Sequence, residues 1–225
     1  MNNTNYTQKQ IWNTHLRSEI SFWEAIINGT FSNKEWVQDW KTRAAGVDII
    51  PSYLHKYITD GARILDVGSG PATTLGGIFN GRYLDITAVD PLASQYMELF
   101  QKYDAEPLVK TIYAEGENLA DSVTGKFSFV YSRNALDHSW HPIKAMQSMI
   151  DVCSPGGAIF FENFVNEGYR ENYEGLHQWN FMEASGDLVV WKQDGKALLI
   201  SKELKGYRSI HVSQSGQWVI AEILV

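Results

Sequence analysis

The run Ile64-Leu65-Asp66-Val67-Gly68-Ser69-Gly70-Pro71-Ala72-Thr73 constrains the fold of this chain more than any other segment. It predicts a buried strand over Arg63–Val67 that ends in an acidic residue and a glycine-rich turn, with a helix over Thr73–Phe79 directly after it. Glycine lets the backbone turn tightly and lets a ligand approach closely, and amides at a helix start receive polar or anionic groups. The run therefore predicts a nucleotide-like ligand at the carboxyl edge of a sheet.

Strand and helix patterns alternate after residue 61, which predicts an α/β fold with a Rossmann-like, doubly wound and mainly parallel sheet. The predicted strands are Arg63–Val67, Asp85–Val89, Val109–Tyr113, Phe127–Ser132 and Ala158–Asn163. The predicted helices are Thr73–Phe79, Ala93–Tyr103, a short one near Leu119, and Pro142–Val152. A hairpin over Asp187–Trp191 and Ala197–Ser201, followed by a strand over Trp218–Val225, predicts antiparallel strands at the C-terminal end of the sheet.

The chain divides into two predicted units, an N-terminal helical cap over residues 1–60 and a ligand-binding core over residues 61–225. Cap residues that recur at helical spacing are Ile11, Trp12, His15, Leu16, Ile20 and Trp23. Ser32-Asn33-Lys34-Glu35 has the pattern of a capping box and predicts a second helix, and Pro51 favours a third near Ile49–Ile58. Residues 165–185, rich in Glu, Asn, Gly and aromatic residues, predict an inserted active-site loop or short helix.

Charge and cysteine content limit the environment and the partners of the chain. The formal net charge is -7, which argues against non-specific nucleic-acid binding. The single cysteine, Cys153, excludes an internal disulfide framework and suits a reducing cytosol. No signal-peptide pattern occurs over Met1–Gln10, and no stretch approaches the roughly 20 apolar residues of a membrane span. We therefore expect a soluble cytoplasmic protein without nucleic-acid or membrane partners, of open oligomeric state.

Two motifs in this order resemble those of the class I S-adenosylmethionine (SAM)-dependent methyltransferases. The Asp-x-Gly-x-Gly run after an apolar strand, here Asp66 to Gly70, looks like the first motif of that family. Asp90-Pro91 ends the next predicted strand, where a carboxylate can accept both hydroxyl protons of a ribose. Asp90 also fits the start of a helix, so its local chemistry allows a structural role as well.

Two further motifs extend the resemblance over residues 61–164. Ala114-Glu115-Gly116-Glu117 looks like the family segment in which an acidic side chain meets the adenine amino group and the next amide meets a ring nitrogen; Glu117 alone fits surface charge better. Ser132-Arg133-Asn134 would line the floor near the sulfonium. The resemblance implies SAM as cofactor, with S-adenosyl-L-homocysteine as product, and cofactor-binding residues Asp66, Gly68, Ser69, Gly70, Asp90, Pro91, Glu115, Gly116, Glu117, Ser132, Arg133 and Asn134.

Histidines near the expected methyl group are the candidate catalytic residues. Methyl transfer at a sulfonium carbon needs alignment, and it needs a base only when the acceptor must lose a proton. His138 and His141 follow the fourth predicted strand, and His177 lies in the loop after the fifth. With Asp137 these side chains are also possible ligands of a divalent ion, but the acidic pair of metal-dependent catechol methyltransferases is not evident, so no metal is predicted.

Aromatic residues of the expected site loops predict the walls of an acceptor pocket. The candidates are Trp140, Trp179, Tyr169 and Tyr173. Such rings suit a planar or apolar small molecule, and they also suit a cationic amine. We therefore expect a small-molecule acceptor methylated at oxygen, with nitrogen and carbon left open.

Other classes of function stay open at this point. An NAD(P)-dependent oxidoreductase shares the glycine turn and Asp90, but Thr73 stands where its fingerprint has a third glycine. A non-catalytic SAM-binding regulatory module is also possible, because binding motifs do not prove chemistry. A nucleic-acid methyltransferase is disfavoured, since Ser132-Arg133-Asn134-Ala135 replaces the Asn/Asp-Pro-Pro-Tyr type of motif.

Overall fold

A computed structural model of the chain describes residues 3–225, except the side chains of residues 3–8 and Ile11. Residues 1 and 2 of the predicted cap lie outside the described residues. The α-helices are α1 (Asn3–Ile27), α2 (Lys34–Ala44), α3 (Ala93–Tyr103), α4 (Pro142–Val152), α5 (Glu167–Arg170) and α6 (Ile200–Glu203). Short 3₁₀ helices span Ser52–Tyr57, Gly116–Asp121 and Leu136–His138.

The strands, in chain order, are β1 (Arg63–Val67), β2 (Ile78–Phe79), β3 (Arg82–Tyr83), β4 (Asp85–Asp90), β5 (Thr111–Tyr113), β6 (Phe127–Arg133), β7 (Cys153–Phe164), β8 (Asn180–Ala184), β9 (Asp187–Trp191), β10 (Ala197–Leu199), β11 (Ser209–Ser215) and β12 (Trp218–Leu224). A seven-stranded sheet has the order β11-β12-β7-β6-β1-β4-β5. Neighbouring strands in the run β7-β6-β1-β4-β5 are parallel, whereas β12 is antiparallel to both β7 and β11. This topology confirms the predicted α/β class with antiparallel C-terminal strands.

Strand β1 lies at the centre of the sheet and is buried on both faces. Leu65 and Val67 pack in a cluster with α4, while Ile64 packs on the other side with Leu54 and Phe129. A continuous buried run of this kind is typical of a parallel strand covered by structure on both sides. The carboxyl end of β1 therefore has neighbours in every direction, and the turn that follows it lies at the point where the chain order of the sheet reverses.

The first crossover contains no helix, so the predicted helix over Thr73–Phe79 is wrong. Residues 71–84, all of them described, form turns and the β2–β3 hairpin. The hairpin turn is Asn80-Gly81, with φ values of 49° and 76°, as a two-residue type I′ turn requires. Two adjacent threonines and the pair Gly76-Gly77 also disfavour helix. The turn after β1 is therefore not followed by a helix N-terminus.

Other elements differ in detail from the sequence expectations. Helix α2 is capped by Asn33, whose side chain accepts a hydrogen bond from Glu35 N, and not by Ser32 as the capping box predicted. The third helix of the cap is a 3₁₀ helix over Ser52–Tyr57. Helices α3 and α4 have the predicted bounds, whereas strand β5 begins at Thr111, two residues late.

A second, three-stranded sheet of order β10-β9-β8 covers one face of the main sheet. Its side chains Phe181, Leu188 and Val190 are fully buried in the same cluster as Val219 of β12 and Met146 of α4. Strands β7 and β11 run in the same direction, and a crossover between such strands is usually a helix. Here the small sheet takes that place, so that residues 165–185, predicted as a loop or short helix, contain α5 and β8.

Helices α1 and α2 pack on α3 and on the turn after β1. Ile26 of α1, Trp40 of α2 and Phe100 of α3 belong to one buried cluster, in which the Trp40 and Phe100 rings lie 6.0 Å apart. The cap therefore places its aromatic side chains above the carboxyl end of the sheet.

Within residues 3–225, no helix is both long enough and apolar enough to cross a bilayer.

Phe181→Ala tests whether the small sheet belongs to the main core. The ring is 0% exposed and lies 5.0 Å from that of Phe161 on β7, so its loss should lower the free energy of unfolding by about 3–5 kcal/mol. Urea denaturation followed by circular dichroism measures this. Lys196→Ala, an exposed substitution in the β9–β10 turn, should change it by less than about 0.5 kcal/mol. A separate early transition in Phe181→Ala would show that the small sheet unfolds independently.

Candidate functional site

A cavity of about 400 Å³ lies at the carboxyl ends of β1, β4 and β6, under the helical cap. Its floor comes from the turn after β1, from Asp90 to Leu92, from Ala114 to Glu117, and from Arg133 to Ser139 except Asp137. Helices α1 and α2 form its roof with Trp12, Leu16, Glu19, Trp23, Glu35, Trp36, Asp39 and Arg43. This volume is in the range of small-molecule and cofactor sites.

The turn after β1 requires glycine at two positions. Gly68 and Gly70 have φ values of 73° and 64°, in the left-handed region that side chains rarely adopt. A Cβ atom on Gly68 would overlap the Ala135 Cβ, and one on Gly70 would lie 3.1 Å from the Trp23 ring. Gly68 N donates to Val89 O at 2.9 Å, which ties the turn to β4. The turn is thus a backbone cradle in which positions 68 and 70 have no room for a side chain.

Asp66 presents an unsatisfied carboxylate oxygen at this turn. It is 2% exposed, and its Oδ2 has no hydrogen-bond partner among the described residues. Burial raises the pKa of Asp66 to about 7, against a hydrogen bond from Thr73 that acts in the opposite direction. A buried polar atom without a partner is costly, so the position is suited to a ligand that donates a hydrogen bond, such as an ammonium group.

Asp90 holds the turn and the start of α3 together. Its Oδ2 accepts from Gly70 N at 3.0 Å, and its Oδ1 accepts from Leu92 N at 2.9 Å. Burial raises the pKa of Asp90 to about 6, although both backbone hydrogen bonds lower it. Each carboxylate oxygen has a second lone pair, so the structural role and the predicted ribose contact are compatible. Pro91, beside it, also lines the cavity.

Glu115 and Gly116 line the cavity at the end of β5, and Glu115 is already paired with the cap. Its carboxylate accepts from Lys9 Nζ of α1 at 2.6 and 2.7 Å and from Tyr113 Oη at 3.2 Å. Burial raises the pKa of Glu115, but the hydrogen bond and charge of Lys9 outweigh it and hold that pKa below its usual value. The position predicted to meet the adenine amino group is therefore bridged to α1.

Glu117 is buried, so its interpretation as surface charge is wrong. It is 4% exposed and lines the cavity, and its Oε1 accepts from His141 N at 3.0 Å. Burial raises the pKa of this carboxyl to about 7. Glu117 thereby fixes the start of α4, whose N-cap is His141.

Two of the predicted residues have internal roles. Ser132 is fully buried, and its Oγ donates to Val67 O at 2.9 Å, so it joins β6 to β1 and is not among the described cavity-lining residues. Ser69 does line the cavity, but its Oγ contacts Thr111 Oγ1 at 3.2 Å. These two hydroxyls stabilise the sheet edge that carries the cradle.

Arg133 and Asn134 stand at the end of β6 on the cavity wall. The Arg133 guanidinium lies 4.7 Å from the centre of the Trp218 ring, and its Nη1 lies 3.6 Å from Glu162 Oε1. Asn134 has a φ of 46°, and its amide donates to Glu162 O at 2.8 Å. Both residues are therefore held in fixed positions beside the cradle.

The three predicted catalytic histidines occupy different places. Among the described lining residues the cavity includes His138 but neither His141 nor His177. His177 lies behind His138, with its Nδ1 3.0 Å from His138 Nε2 and 2.8 Å from Asp137 Oδ2. Burial lowers the pKa of His177, but the hydrogen bond and charge of Asp137 outweigh it and raise that pKa. His141 caps α4 by accepting from Lys144 N.

The four residues predicted as acceptor walls are not among the described residues that line the cavity. Trp179 donates from its ring to Ser139 O at 2.9 Å and packs in the main core, Trp140 is 9% exposed beside Trp12, and Tyr169 is 66% exposed. Tyr173 accepts a hydrogen bond from Asn180 Nδ2. The aromatic walls are instead Trp12, Trp23, Trp36, Tyr96, Phe164 and Trp218.

Acceptor walls were predicted only in the loops after the fourth and fifth predicted strands, so the walls supplied by the cap, Trp12, Trp23 and Trp36, were missed. Trp36 is 44% exposed and so is not a core residue. It nevertheless lies four positions before the buried Trp40, at the spacing expected for one face of a helix. An indole can pack on one side and face a cavity on the other. The helical stripe of tryptophans was the available signal, and its two faces could not be separated without the fold.

Comparison with known proteins assigns the fold to a class. The seven-stranded sheet, mostly parallel with antiparallel C-terminal strands, is that of class I SAM-dependent methyltransferases. A family profile described as a methyltransferase domain matches residues 36–198. The chain therefore belongs to the methyltransferase-domain family.

Individual relatives are more distant. A ubiquinone biosynthesis O-methyltransferase of Alkalilimnicola ehrlichii is 25% identical over 162 residues, covering 65% of this chain and 64% of the relative, which is less than two thirds of its length. A possible histamine N-methyltransferase of Thermotoga maritima matches with a TM-score of 0.52 at 13% identity over 88% of this chain and 97% of the other. The CurJ carbon methyltransferase matches at 0.50 and 15% identity, over 73% and 48%. These structural likenesses concern the fold.

Gly68→Ala tests the geometry of the cradle. The new methyl group would meet Ala135 Cβ, and alanine would have to adopt the left-handed backbone conformation of Gly68, which is strained for a residue with a side chain. The free energy of unfolding should therefore fall by about 2 kcal/mol or more. Adding Ala135→Gly removes the contact but not the conformational strain, so the double variant should recover part of the loss in a double-mutant cycle. A loss of the same size in both backgrounds would show that Ala135 does not limit residue 68.

Proposed function

We propose that this protein transfers the methyl group of SAM to an oxygen atom of a small-molecule acceptor. The observation that supports SAM most directly is the buried, unpartnered Oδ2 of Asp66, which lines the cavity at the glycine turn. The ammonium group of SAM would supply the missing hydrogen-bond donor. When bound, SAM supplies an electrophilic methyl group on a sulfonium.

The neighbouring residues fit the remaining parts of SAM. The lone pairs that Asp90 keeps after binding two backbone amides suit the ribose hydroxyls. Glu115 and the amide of Gly116 suit the adenine edge, provided that Lys9 yields its place on Glu115. In this arrangement the chain orients the donor by contacts at each end, and alignment is the main requirement of an in-line displacement.

The acceptor side of the cavity supports a small aromatic or apolar substrate. Trp12, Trp23 and Trp36 of the cap face the cavity, and aromatic walls suit planar ligands. Acidic side chains outnumber basic ones among the described lining residues, with Arg43 and Arg133 as the basic ones, and an excess of carboxylates disfavours the phosphates of a nucleic acid. The ubiquinone biosynthesis O-methyltransferase from Alkalilimnicola ehrlichii supports oxygen as the methylated atom.

An oxygen acceptor must lose a proton, and His138 lies where it can accept that proton. It lines the cavity at the end of the 3₁₀ helix after β6, and Glu19 Oε2 of α1 lies 4.0 Å from its Nδ1. His177 and Asp137 support it from behind. His138 is therefore the histidine that we place beside the acceptor oxygen.

The oxidoreductase alternative loses support from the first crossover. A dinucleotide pyrophosphate is normally held at the N-terminus of the helix that follows the first strand. Residues 71–84 of this chain, all described, contain turns and a hairpin in place of that helix. A nicotinamide dinucleotide would therefore lack its usual phosphate site in this protein.

The first experiment is a calorimetric titration with SAM, S-adenosylhomocysteine and NADH, followed by incubation with labelled SAM and a panel of phenols, catechols, amines and carbon acids. We expect micromolar binding of both adenosyl ligands, no binding of NADH, and label on an oxygen acceptor. Absence of adenosyl-ligand binding would overturn the proposal. Binding without transfer to any acceptor would favour a regulatory SAM-binding module.

The affinity for SAM should fall as the pH is lowered from about 7.5 to about 6. Only the ionised form of Asp66 can pair with the ammonium group, and burial raises the pKa of Asp66 to about 7, so protonation removes that form within this window. The dissociation constant should rise by up to about tenfold per pH unit below 7. Calorimetry across this range measures the profile.

Two variants make this profile specific. Asp66→Asn should bind SAM more weakly at pH 7.5 and should lose most of the pH dependence. Asp85→Asn, at the exposed opposite end of β4, should keep the profile of the unmodified protein. An equal pH dependence in the protein and in Asp66→Asn would place the ammonium group elsewhere.

A further inference from the structure

We infer that Asp137, His138 and His177 form a binding site for one divalent transition-metal ion at the wall of the cavity. Asp137 and His138 come from the 3₁₀ helix after β6, and His177 comes from the segment between α5 and β8. The sequence offered these side chains as possible ligands, but no metal was predicted, because the acidic pair of metal-dependent catechol methyltransferases is not evident. The fold brings the three side chains together.

The three ligand atoms converge on one point. Asp137 Oδ2 lies 2.8 Å from His177 Nδ1 and 3.4 Å from His138 Nε2, and the two nitrogens are 3.0 Å apart. Ligand atoms about 2.0–2.2 Å from one ion, at angles between octahedral and tetrahedral, lie about 2.8–3.6 Å from one another. All three distances are within that range, so a single ion can contact all three atoms.

Hydrogen bonds account poorly for this triangle. A neutral imidazole has one N–H, so a proton on His177 Nδ1 can serve both Asp137 and His138 only in a three-centre hydrogen bond, in which each contact is weaker than an undivided one. The two contacts of His177 Nδ1 are nevertheless both short, at 2.8 and 3.0 Å. An ion uses the lone pairs of all three atoms at once.

The surroundings hold the ligands in place. Trp12 donates from its ring to His138 O at 2.7 Å, and Gln178 N donates to Asp137 O at 3.2 Å, which joins the two ligand segments. Glu19 Oε2 lies 4.0 Å from Nδ1 of His138, the nitrogen away from the proposed ion.

The ligand set indicates the kind of ion and its role. Two imidazoles and one carboxylate suit Zn²⁺, Fe²⁺, Mn²⁺ or Co²⁺ better than Mg²⁺, which prefers oxygen ligands. Three protein ligands leave coordination positions open, and His138 lines the cavity. Resting on the function proposed above, the ion would hold the His138 ring in place at the cavity wall, beside the acceptor.

Direct metal titration tests the site without any substrate. The full chain, freed of metal with a chelator, is titrated calorimetrically with Zn²⁺ and, in a second sample, with Co²⁺ followed by visible absorption. We expect one ion per chain, with cobalt bands of a nitrogen- and oxygen-ligated site. His177→Ala and Asp137→Asn should each weaken binding by at least about tenfold, whereas His211→Ala, an exposed histidine on β11, should leave it unchanged.

Further readouts separate this inference from the proposed function. Circular dichroism and SAM titration of each variant show whether it is folded, since the cradle is formed by other residues. Absence of binding, or equal binding by His177→Ala, would overturn the metal site. Metal binding as expected without transfer to any acceptor would leave the site standing and count against the proposed function. Transfer at the same rate by metal-free protein would overturn the role assigned to the ion.

Discussion

The hydrogen bond from Gly70 N to Asp90 Oδ2, 3.0 Å long, joins the turn after β1 to the end of β4. Because Gly68 N also binds Val89 O, the turn cannot move away from β4 without losing both contacts. Its left-handed residues bring the backbone close to Ala135 and Trp23. One short turn therefore fixes the relative positions of the sheet edge, the segment after β6 and the first cap helix, which are the three sides of the cavity.

Features that depend on local chemistry could be predicted from the sequence. The bounds of α3 and α4 and the course of β1 follow from periodicity and burial, and the glycines of the cradle follow from a turn that needs positive φ. The β2–β3 hairpin also had a local signal, Asn80-Gly81, which the expected helix over Thr73–Phe79 obscured. An Asn-Gly pair between short apolar segments is a strong hairpin signal, and it outweighs the helix pattern in this crossover.

Features that depend on long-range packing could not be predicted in this way. Trp36 and Trp40 both belong to α2, yet one is 44% exposed at the cavity and the other is 5% exposed in the core. Nothing in their local sequence separates them. Likewise, His177 was expected near the site only because its loop follows β7, and its contact with Asp137 depends on the small sheet that replaces a crossover helix. In each case the environment of the side chain is set by packing against parts of the chain that are distant in sequence.

The ion pair between Lys9 and Glu115 gives the cap a part in ligand exchange. A ligand that engages Glu115 competes with Lys9 for the same carboxylate, so occupancy of the cavity and docking of the first turns of α1 are thermodynamically linked. Lys9 is 39% exposed and Glu115 is 13% exposed, so Lys9 can leave the pair and return its ammonium group to solvent at modest cost. The competition can thus be reversible: binding of such a ligand weakens the contact between α1 and the segment after β5, and its release restores that contact.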